Sequence, residues 1–246
     1  MDTVTTPIFT VQRAADRAAF SFGWLDTKHS FSFADYFDAN NVNWGALRVF
    51  NDDTVAPGKG FGTHPHRDME IVTYVLRGQL EHKDSMGHAG VVNPGGVQYL
   101  SAGSGLTHSE FNHSGESDVH FVQMWVMPRA RGEAPAYGQQ EFAQIERTGK
   151  WLTIASGQAG IEAPIALRQD ATLRVARLEG GALTQAFEPT RYGFVFVAQG
   201  EVEANGEQLF AGDAVRLHGV PSVDVRGTGE LVVWDVIGLE EPIGIM

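Results

Sequence analysis

The sequence predicts an all-β protein that is built from two related β domains. The chain has 29 glycines in 246 residues, and short runs of Val, Ile, Leu and Phe lie between them. Helical periodicity is weak, and an approximate repeat relates the two halves of the chain. Short strands at even spacing, separated by Gly-containing turns, favour a β-sandwich or a β-barrel.

The candidate strands are apolar segments that are flanked on both sides by turn residues. Val, Ile and aromatic residues favour strands in this setting. The candidates are 45–52, 70–78, 97–103 and 119–128 in the first half, and 172–180, 192–206 and 229–238 in the second. The best candidates for helices are FADYFDAN (33–40) and QQEFAQIE (139–146).

An internal repeat gives the domain organisation. Residues 74–100 align with 196–217, since each has an apolar strand, a glycine, a strand of alternating polarity and a Gly-containing turn. A polar stretch with Pro and Gly, 128–150, lies between the halves. We therefore predict two domains, 1–136 and 137–246.

Composition and charge argue against several kinds of site and partner. The chain has no cysteine, which excludes disulfides, thiolate zinc sites and cysteine nucleophiles. Its formal net charge of −12 repels phosphate backbones, so we expect no direct binding to nucleic acid. No apolar run is long enough for a membrane span, and the N-terminus lacks the pattern of a signal peptide. We therefore expect a cytoplasmic protein with no membrane partner.

Two short motifs carry the chemistry of this sequence. GFGTHPHRDME contains His64 and His66, and GLTHSEFN contains His108 and Glu110. Residues i and i+2 of a strand point to the same face, so each pair would present its two side chains together. Three imidazoles and a carboxylate suit Fe, Ni, Cu, Mn, Co or Zn, and they leave open positions on a six-coordinate ion. These four residues are therefore predicted to bind a metal.

Other side chains near these motifs are predicted to be exposed or structural. His82, His88 and His113 lie near Gly- or Asp-rich turns, and we expect them to be exposed. His120 could line the barrel, although packing is favoured, and His218 has no partner nearby. For Phe111, Phe121, Met124 and Trp125, core packing is favoured over lining a pocket.

The motifs resemble those of the cupin superfamily. The first cupin motif, G-x5-H-x-H-x3,4-E-x6-G, is matched by Gly58, His64, His66, Glu70 and Gly78, with one extra residue before the last glycine. The second is met at Gly105, His108 and Asn112, with Gly103 where proline is usual. FGTHPHRDMEIVTYVLRGQLEHKDSMG and SAGSGLTHSEFN resemble the pirin family. GWLDTKHSFSFADYFD and ALRVFNDD also resemble bacterial pirin-like quercetin 2,3-dioxygenases.

This resemblance implies a bicupin, with two double-stranded β-helix barrels in one chain. The N-terminal barrel of such a protein holds one divalent metal ion, usually Fe(II). Pirins place the ligands at the positions of His64, His66, His108 and Glu110. Many cupins use the glutamate at the position of Glu70 instead, so this residue is kept as a spare ligand or a neighbour of the metal.

The repeat also predicts that the C-terminal domain has no metal site. Aligning Gly78 with Gly200 and Gly95 with Gly212 gives the second-half counterparts of the four ligands. These counterparts are Ala186, Glu188, Val225 and Gly227. A single carboxylate does not hold a transition metal tightly, so we expect one metal ion per chain.

The resemblance implies two functions of different kinds. One is a dioxygenase that cleaves flavonols such as quercetin with dioxygen and releases carbon monoxide, with Glu110 as a ligand or as the base. The other is a non-enzymatic, metal-binding regulator that acts through protein contacts, as animal pirins are described to act. A cupin enzyme for another hydroxylated substrate is a third alternative, because this fold hosts many chemistries.

Overall fold

A computed structural model describes residues 6–239, and within them the protein is almost entirely β. The strands up to the middle of the chain are β1 Ile8–Gln12, β2 Ala18–Ser21, β3 Leu25–His29, β4 Leu47–Val55, β5 Gly60–His66, β6 Glu70–Arg77, β7 Leu80–Asp84, β8 Ala89–Val92, β9 Val97–Ser101, β10 Leu106–Asn112, β11 Val119–Val126 and β12 Ala136–Gln140. The remaining elements are α1 Gln144–Arg147, β13 Leu152–Ser156, β14 Ile165–Ala166, β15 Ala171–Ala186, β16 Tyr192–Ala204, β17 Glu207–Phe210, β18 Ala214–His218 and β19 Ser222–Val236. The all-β prediction is confirmed, and a strand overlaps each of the seven candidate segments.

The first half of the chain forms two sheets that face each other. One sheet has the order β12-β9-β6-β11-β4-β3-β2, and the other has the order β5-β10-β7-β8. Apolar side chains from both sheets meet between them, including Val75 and Phe121 from the larger sheet and Leu80 and Val92 from the smaller one. Two facing sheets agree with the predicted cupin barrel, and the predicted ligands of both motifs lie on the smaller sheet.

The second half forms one sheet with the order β1-β18-β16-β19-β15-β13-β14, and β17 pairs with β16. Register shifts interrupt the long strands at Val197/Gln199 and at Glu179/Gly181. Because such shifts bend a strand, the sheet folds over its own apolar cluster, which includes Val195 and Leu231. The second half therefore encloses a core of its own.

Repeated hydrogen bonds support the predicted relation between the two halves. The Gly95 N–H donates to the carbonyl of Val75, and the Gly212 N–H donates to that of Val197, both over 2.8 Å. These two glycines have φ values of 85° and 89°, in the left-handed region that favours glycine. The same turn thus recurs after the same strand in each half.

Two strands do not follow the predicted domain boundary at residue 136. β1 pairs with β18, from Ile8 opposite His218 to Gln12 opposite Ala214, and so belongs to the C-terminal sheet. β12, which straddles the boundary, pairs with β9 of the N-terminal sheet. The two halves are therefore interlocked in the fold.

The two halves also share one large apolar core. Tyr74 from the N-terminal half lies in the same buried cluster as Phe194 and Trp234 from the C-terminal half. The Trp234 indole N–H donates to the sulfur of Met124, 3.0 Å away. The outward face of the larger N-terminal sheet is therefore covered by the second half.

The predicted helices are wrong for the most part. Residues 33–40 form turns, in which Phe33 and Tyr36 exchange backbone hydrogen bonds and Ala34 has a φ of 50°. Of residues 139–146, the first two belong to β12, and only the single turn of α1 is helical. Segments of eight residues are too short to hold a helix without tertiary packing, so local propensity did not decide these structures. Within the described part of the chain, no helix is long and apolar enough to cross a membrane.

Candidate metal centre

Three imidazoles converge where β5 pairs with β10. His64 lies opposite His108, and His66 lies opposite Leu106. The centroids of the three rings are 4.5 to 4.8 Å apart, and one nitrogen from each ring lies within 4.8 Å of the other two. Alternation along β5 and β10 thus brings together the three histidines that the sequence predicted.

The nitrogen atoms of these rings are set for metal binding. The Nδ1 of His64 is 2.7 Å from the carbonyl oxygen of Gly62, so Nδ1 carries the proton and Nε2 keeps a free lone pair. The Nε2 atoms of His66 and His108 are buried, and no hydrogen-bond partner for them lies among residues 6–239. Buried polar atoms normally have partners, so these orphaned nitrogens fit an ion that supplies one.

Burial keeps His66 and His108 in the neutral form that binds metals. Burial first, and then the neighbouring His108 and His64, together lower the pKa of His66 to about 3. The pKa of His108 is also lowered to about 3, first by burial and then by His64 and His82. Neutral imidazole offers a lone pair, whereas imidazolium does not.

Glu110 is buried beside this cluster, next to His108. Its carboxylate groups with His82 and His108, again within 4.8 Å, and not with all three predicted histidines. One carboxylate oxygen accepts from the Gln98 amide over 3.0 Å, and the other accepts from the Gln123 amide over 2.8 Å. Burial raises the pKa of this carboxyl, while the hydrogen bond from Gln123 opposes the shift. The structure thus places Glu110 next to one of the predicted ligands.

An irregularity in β5 explains this offset. His108 lies opposite His64, but Glu110 lies opposite Phe61. Between these two pairs β5 advances by three residues and β10 by two. On its other side β10 pairs regularly with β7, and Glu110 lies opposite His82. The strand therefore aims Glu110 inward, as alternation predicts, while the extra β5 residue changes which side chains surround it.

Glu70, kept as a spare ligand or a neighbour of the metal, has its carboxylate engaged by hydrogen bonds within the protein. Its oxygens accept the hydroxyl of Tyr99 at 2.6 Å and the backbone N–H groups of Arg168 and Gln169, both at 2.8 Å. The chain turns between β5 and β6, where Asp68 has a φ of 50°, so the alternation from His66 does not continue to Glu70. Glu70 consequently joins the two halves of the molecule and belongs to neither potential metal-binding group.

His82 was expected to be exposed and is completely buried. Its Nδ1 lies 3.4 Å from the Nδ1 of His108, and its Nε2 lies 3.3 Å from a carboxylate oxygen of Asp84. That oxygen also contacts the Nδ1 of His88 over 2.9 Å, and the ring of Tyr137 stacks between His82 and His88. The alternation of β7, in which Leu80, His82 and Asp84 share a face, was the signal that could have found this residue.

A cavity of about 260 Å³ opens beside the three histidines. Aromatic side chains form much of its wall, and the Trp125 ring meets the edges of His66 and Phe33 at centroid distances of 4.8 and 5.3 Å. The lining residues are Phe22, Leu25, Thr27, His29, Phe33, Ala34, Asn51, Asp53, Phe61, His64, His66, Glu110, Gln123 and Trp125. Trp125 is therefore a pocket residue, against the expectation of core packing.

The other side chains near the motifs divide into core and surface. Phe121 and Met124 are buried as expected, whereas Phe111 is exposed. The imidazoles of His88 and His113 are exposed, as predicted. His120 contacts the carboxylate of Asp52 at 2.6 Å, and His218, expected to lack a partner, stacks on Tyr192 with centroids 4.1 Å apart.

The second half carries mostly apolar residues where the first half carries the predicted ligands. Val225 pairs with Ala204, which lies four residues after Gly200. In the first half, Glu110 pairs with His82, which lies four residues after Gly78. The predicted equivalences on β19 are therefore shifted by two residues. The positions that match His64, His108 and Glu110 are then Gln185, Val223 and Val225, in place of the predicted Ala186, Val225 and Gly227. Glu188 lies beyond the end of β15. The turn that precedes β10 and the turn that precedes β19 differ in length, which the sequence alignment did not capture.

The chain matches known families over both halves. Residues 10–126 match the Pirin family, and residues 153–233 match the Quercetinase C-terminal cupin domain. A pirin-like protein from Caulobacter vibrioides is 44% identical over 216 residues, which cover 87% of this chain and 93% of that protein. The chain belongs to the pirin family. The resemblance seen in the two motifs thus extends through both domains of this pirin.

Two further relatives of this pirin come from Escherichia coli. A quercetin 2,3-dioxygenase from strain K12 is 37% identical over 229 residues, which cover 92% of this chain and 97% of that enzyme. The crystal structure of a bacterial pirin in complex with nickel(II) has a TM-score of 0.87 and 34% identity, covering 94% of this chain and all of that one. These proteins share the complete two-domain fold with this pirin.

Proposed function

We propose that this pirin is a metal-dependent dioxygenase that cleaves flavonols such as quercetin with dioxygen and releases carbon monoxide. The observation that carries the proposal is the convergence of three imidazoles, two of them with orphaned Nε2 atoms, beside an aromatic-walled cavity. The name of the Escherichia coli relative, a quercetin 2,3-dioxygenase, supports the same reaction. As part of this proposal the protein acts in the cytoplasm.

The proposed metal ligands are His64, His66, His108 and Glu110, and the proposed ion is Fe(II). The donor set also suits Ni, Cu, Mn, Co or Zn, and the nickel(II) complex of the related pirin shows that such a fold accepts a divalent transition metal. When bound, the ion supplies Lewis acidity and open coordination positions beside the cavity. We assign this single site to the N-terminal domain, 1–136, and none to the C-terminal domain, 137–246.

The protein's own groups orient the substrate and move its proton. The Trp125 and Phe33 rings, perpendicular to each other, provide apolar walls against which a flat ring packs and from which water is excluded. Glu110 takes the proton of the flavonol hydroxyl that lies next to the metal. Burial raises the pKa of this carboxyl and makes it a stronger base, while Gln98 and Gln123 hold it in place.

Oxygen uptake and carbon monoxide release together test the proposed reaction. Protein loaded with Fe(II), and in parallel with Ni, Cu, Mn, Co or Zn, is supplied with quercetin in air-saturated buffer. We expect oxygen consumption and carbon monoxide in equal amounts, and loss of both after chelation. Turnover that is unchanged in metal-free protein would contradict the proposal. Absence of turnover with every metal would favour the non-enzymatic regulator that acts through a protein partner.

A further inference from the structure

One wall of the cavity is polar and lies on the sheet opposite the three histidines. Thr27 and Asp53 pair across β3 and β4, as do His29 and Asn51 two residues along. All four side chains are at most 6% exposed, and all four line the cavity. We call these four residues the polar wall. Because β3 and β4 belong to the larger sheet and β5 to the smaller one, the polar wall faces the metal-binding side across the cavity.

Three atoms of the polar wall have no hydrogen-bond partner among residues 6–239. They are the Oδ1 of Asn51, the Nδ1 of His29 and the Oγ1 of Thr27, and all three are buried. Asn51 and His29 are cross-strand neighbours. A buried acceptor without a partner destabilises a fold, so such atoms are retained where a ligand or water completes them. Their position on the cavity lining indicates that the missing partner comes from the cavity.

The electrostatic setting leaves His29 with one nitrogen that can accept a hydrogen bond. Burial, and to a lesser extent Arg17, lowers the pKa of His29 to about 4, so its imidazole is neutral at physiological pH. A neutral imidazole has one nitrogen with a lone pair, and the amide oxygen of Asn51 is a second acceptor beside it. Cross-strand neighbours have Cβ atoms about 5 Å apart, close enough to receive two hydroxyls of one ring.

We propose that Asn51 and His29 form a recognition subsite for neighbouring hydroxyl groups on the ring of the substrate that lies farthest from the metal. The substrate class is therefore a planar aromatic compound with adjacent hydroxyls on that distal ring. Each hydroxyl donates to one of the two acceptors, while the aromatic wall at Trp125 and Phe33 holds the rings. This subsite rests on the proposed function, since it places a flavonol between the metal and the polar wall.

Equilibrium binding without oxygen tests the subsite apart from turnover. Three flavonols with two, one or no hydroxyls on the pendant ring are titrated into the metal-loaded protein under anaerobic conditions, with calorimetry as the measurement. We expect the affinity to rise about tenfold or more from the compound with none to the compound with two, because the latter fills both orphaned acceptors. Equal affinities for the three compounds, or no binding of any of them, would overturn the subsite.

Substitutions of Asn51 and His29 test whether these two residues cause the hydroxyl preference. Asn51→Leu and His29→Phe remove the acceptors at similar volume, and each is expected to abolish most of the hydroxyl preference while the flavonol without pendant hydroxyls still binds. The matched control is Ser30→Ala. The Ser30 hydroxyl is also buried and has no partner within the described part of the chain, but it does not line this cavity, so its loss should leave the preference unchanged. A preference that survives both pocket substitutions overturns the assignment.

Failure of the subsite and failure of the proposed function give different results. If the hydroxyl preference is present while no flavonol is cleaved, the subsite stands and the proposed reaction is wrong. If flavonols are cleaved equally well with and without pendant hydroxyls and bind with equal affinity, the reaction stands and the subsite is wrong. The ligand series with the unaltered protein gives this answer even where a variant fails to fold.

Discussion

Glu110 and Glu70 show how the environment of a carboxylate decides its role. Both are buried, but Glu110 is held by two side-chain amides at the edge of the cavity, while Glu70 accepts two backbone N–H groups from the other half. The first arrangement leaves lone pairs near an orphaned imidazole nitrogen. The second satisfies the carboxylate inside the protein.

We therefore predict different effects of substituting these two glutamates. Glu110→Gln keeps an oxygen donor but removes the base, and should lower kcat by about 10²- to 10⁴-fold with a smaller loss of metal. Glu110→Ala should lower both. Glu70→Ala should retain the metal but lower the free energy of unfolding by about 2–4 kcal/mol, because two backbone N–H groups lose their acceptor. Metal analysis and denaturant titration measure these effects. Loss of metal in Glu70→Ala alone would reverse the assignment.

His82 is predicted to orient His108. If His108 binds the metal through Nε2, its Nδ1 proton is available to the Nδ1 of His82, whose Nε2 then donates to Asp84. Removing such a supporting contact typically weakens metal binding by about 10- to 100-fold. We expect this loss for His82→Ala in a competition titration with a chelator. His113→Ala, which removes an exposed imidazole that contacts Glu81, serves as the control. Unchanged affinity in His82→Ala would show that His108 needs no such support.

The carboxyl of Asp53 gives a prediction about pH. Burial raises its pKa to about 7, above the 3.8 of an ordinary aspartate, so folding favours the protonated form. The resulting stabilisation is complete below pH 3.8 and is lost as the pH rises towards 7, by about 1.4 kcal/mol per pH unit at most. Asp53→Asn should remove this dependence. Denaturant titrations of both proteins across pH 4 to 8 measure the difference, and parallel pH curves for the two would contradict it.

At the scale of elements, the pairing of β5 with β10, which brings the three imidazoles together, leaves no room for a side chain at Gly60. A Cβ added at Gly60 would lie 2.2 Å from the carbonyl oxygen of Glu110, whereas a Cβ added at Gly62 would meet nothing within 4 Å. Neither glycine has a positive φ, so only the space around them differs. The close approach of the two strands therefore depends on the residue at position 60.

Gly60→Ala should consequently separate the strands and weaken metal binding, while Gly62→Ala should do neither. Displacement of β5 moves His64 and His66 away from His108, so we expect at least about a tenfold loss of metal affinity and a lower unfolding temperature. Calorimetric metal titration and thermal unfolding of the two variants provide the comparison. Equal behaviour of the two alanine variants would show that the approach of the strands does not control the site.

The same two strands show what the sequence could and could not predict. Alternation correctly paired His64 with His66 on β5 and placed Glu110 on the inner face of β10, because strand periodicity is local. The extra β5 residue, which offsets Glu110 from the histidine cluster, depends on how two distant segments pair. The polar wall could not be foreseen either, because His29 and Asn51 meet only across β3 and β4.

At the scale of the whole molecule, the two halves depend on each other for burial. The outward face of the larger N-terminal sheet places Tyr74 and Met124 in a cluster with Trp234 from the second half. The buried Glu230 of the second half accepts from the Tyr74 hydroxyl and lies 3.1 Å from the Nε of Arg147. A sheet face that carries several large apolar side chains is not stable in water unless another part of the protein covers it.

Residues 1–136 alone are therefore predicted not to form a stable metal-binding domain. Although they contain all four proposed ligands, they lack the cover over Tyr74 and Met124, the partner of β1 and most of β12. We expect the fragment to be aggregated or partly unfolded by size-exclusion chromatography and circular dichroism, and to bind metal more weakly than the full chain. A monomeric fragment that unfolds cooperatively and binds metal with full affinity would contradict this.

The pairing of β1 with β18 has a consequence for how the protein is made. Ile8 leaves the ribosome before His218, its partner across the sheet, which follows more than two hundred residues later. At ordinary rates of translation this delay is on the order of tens of seconds. All the side chains of the metal centre are synthesised within it. β1 thus cannot pair until β18 has been made, and it needs protection from other partners until then.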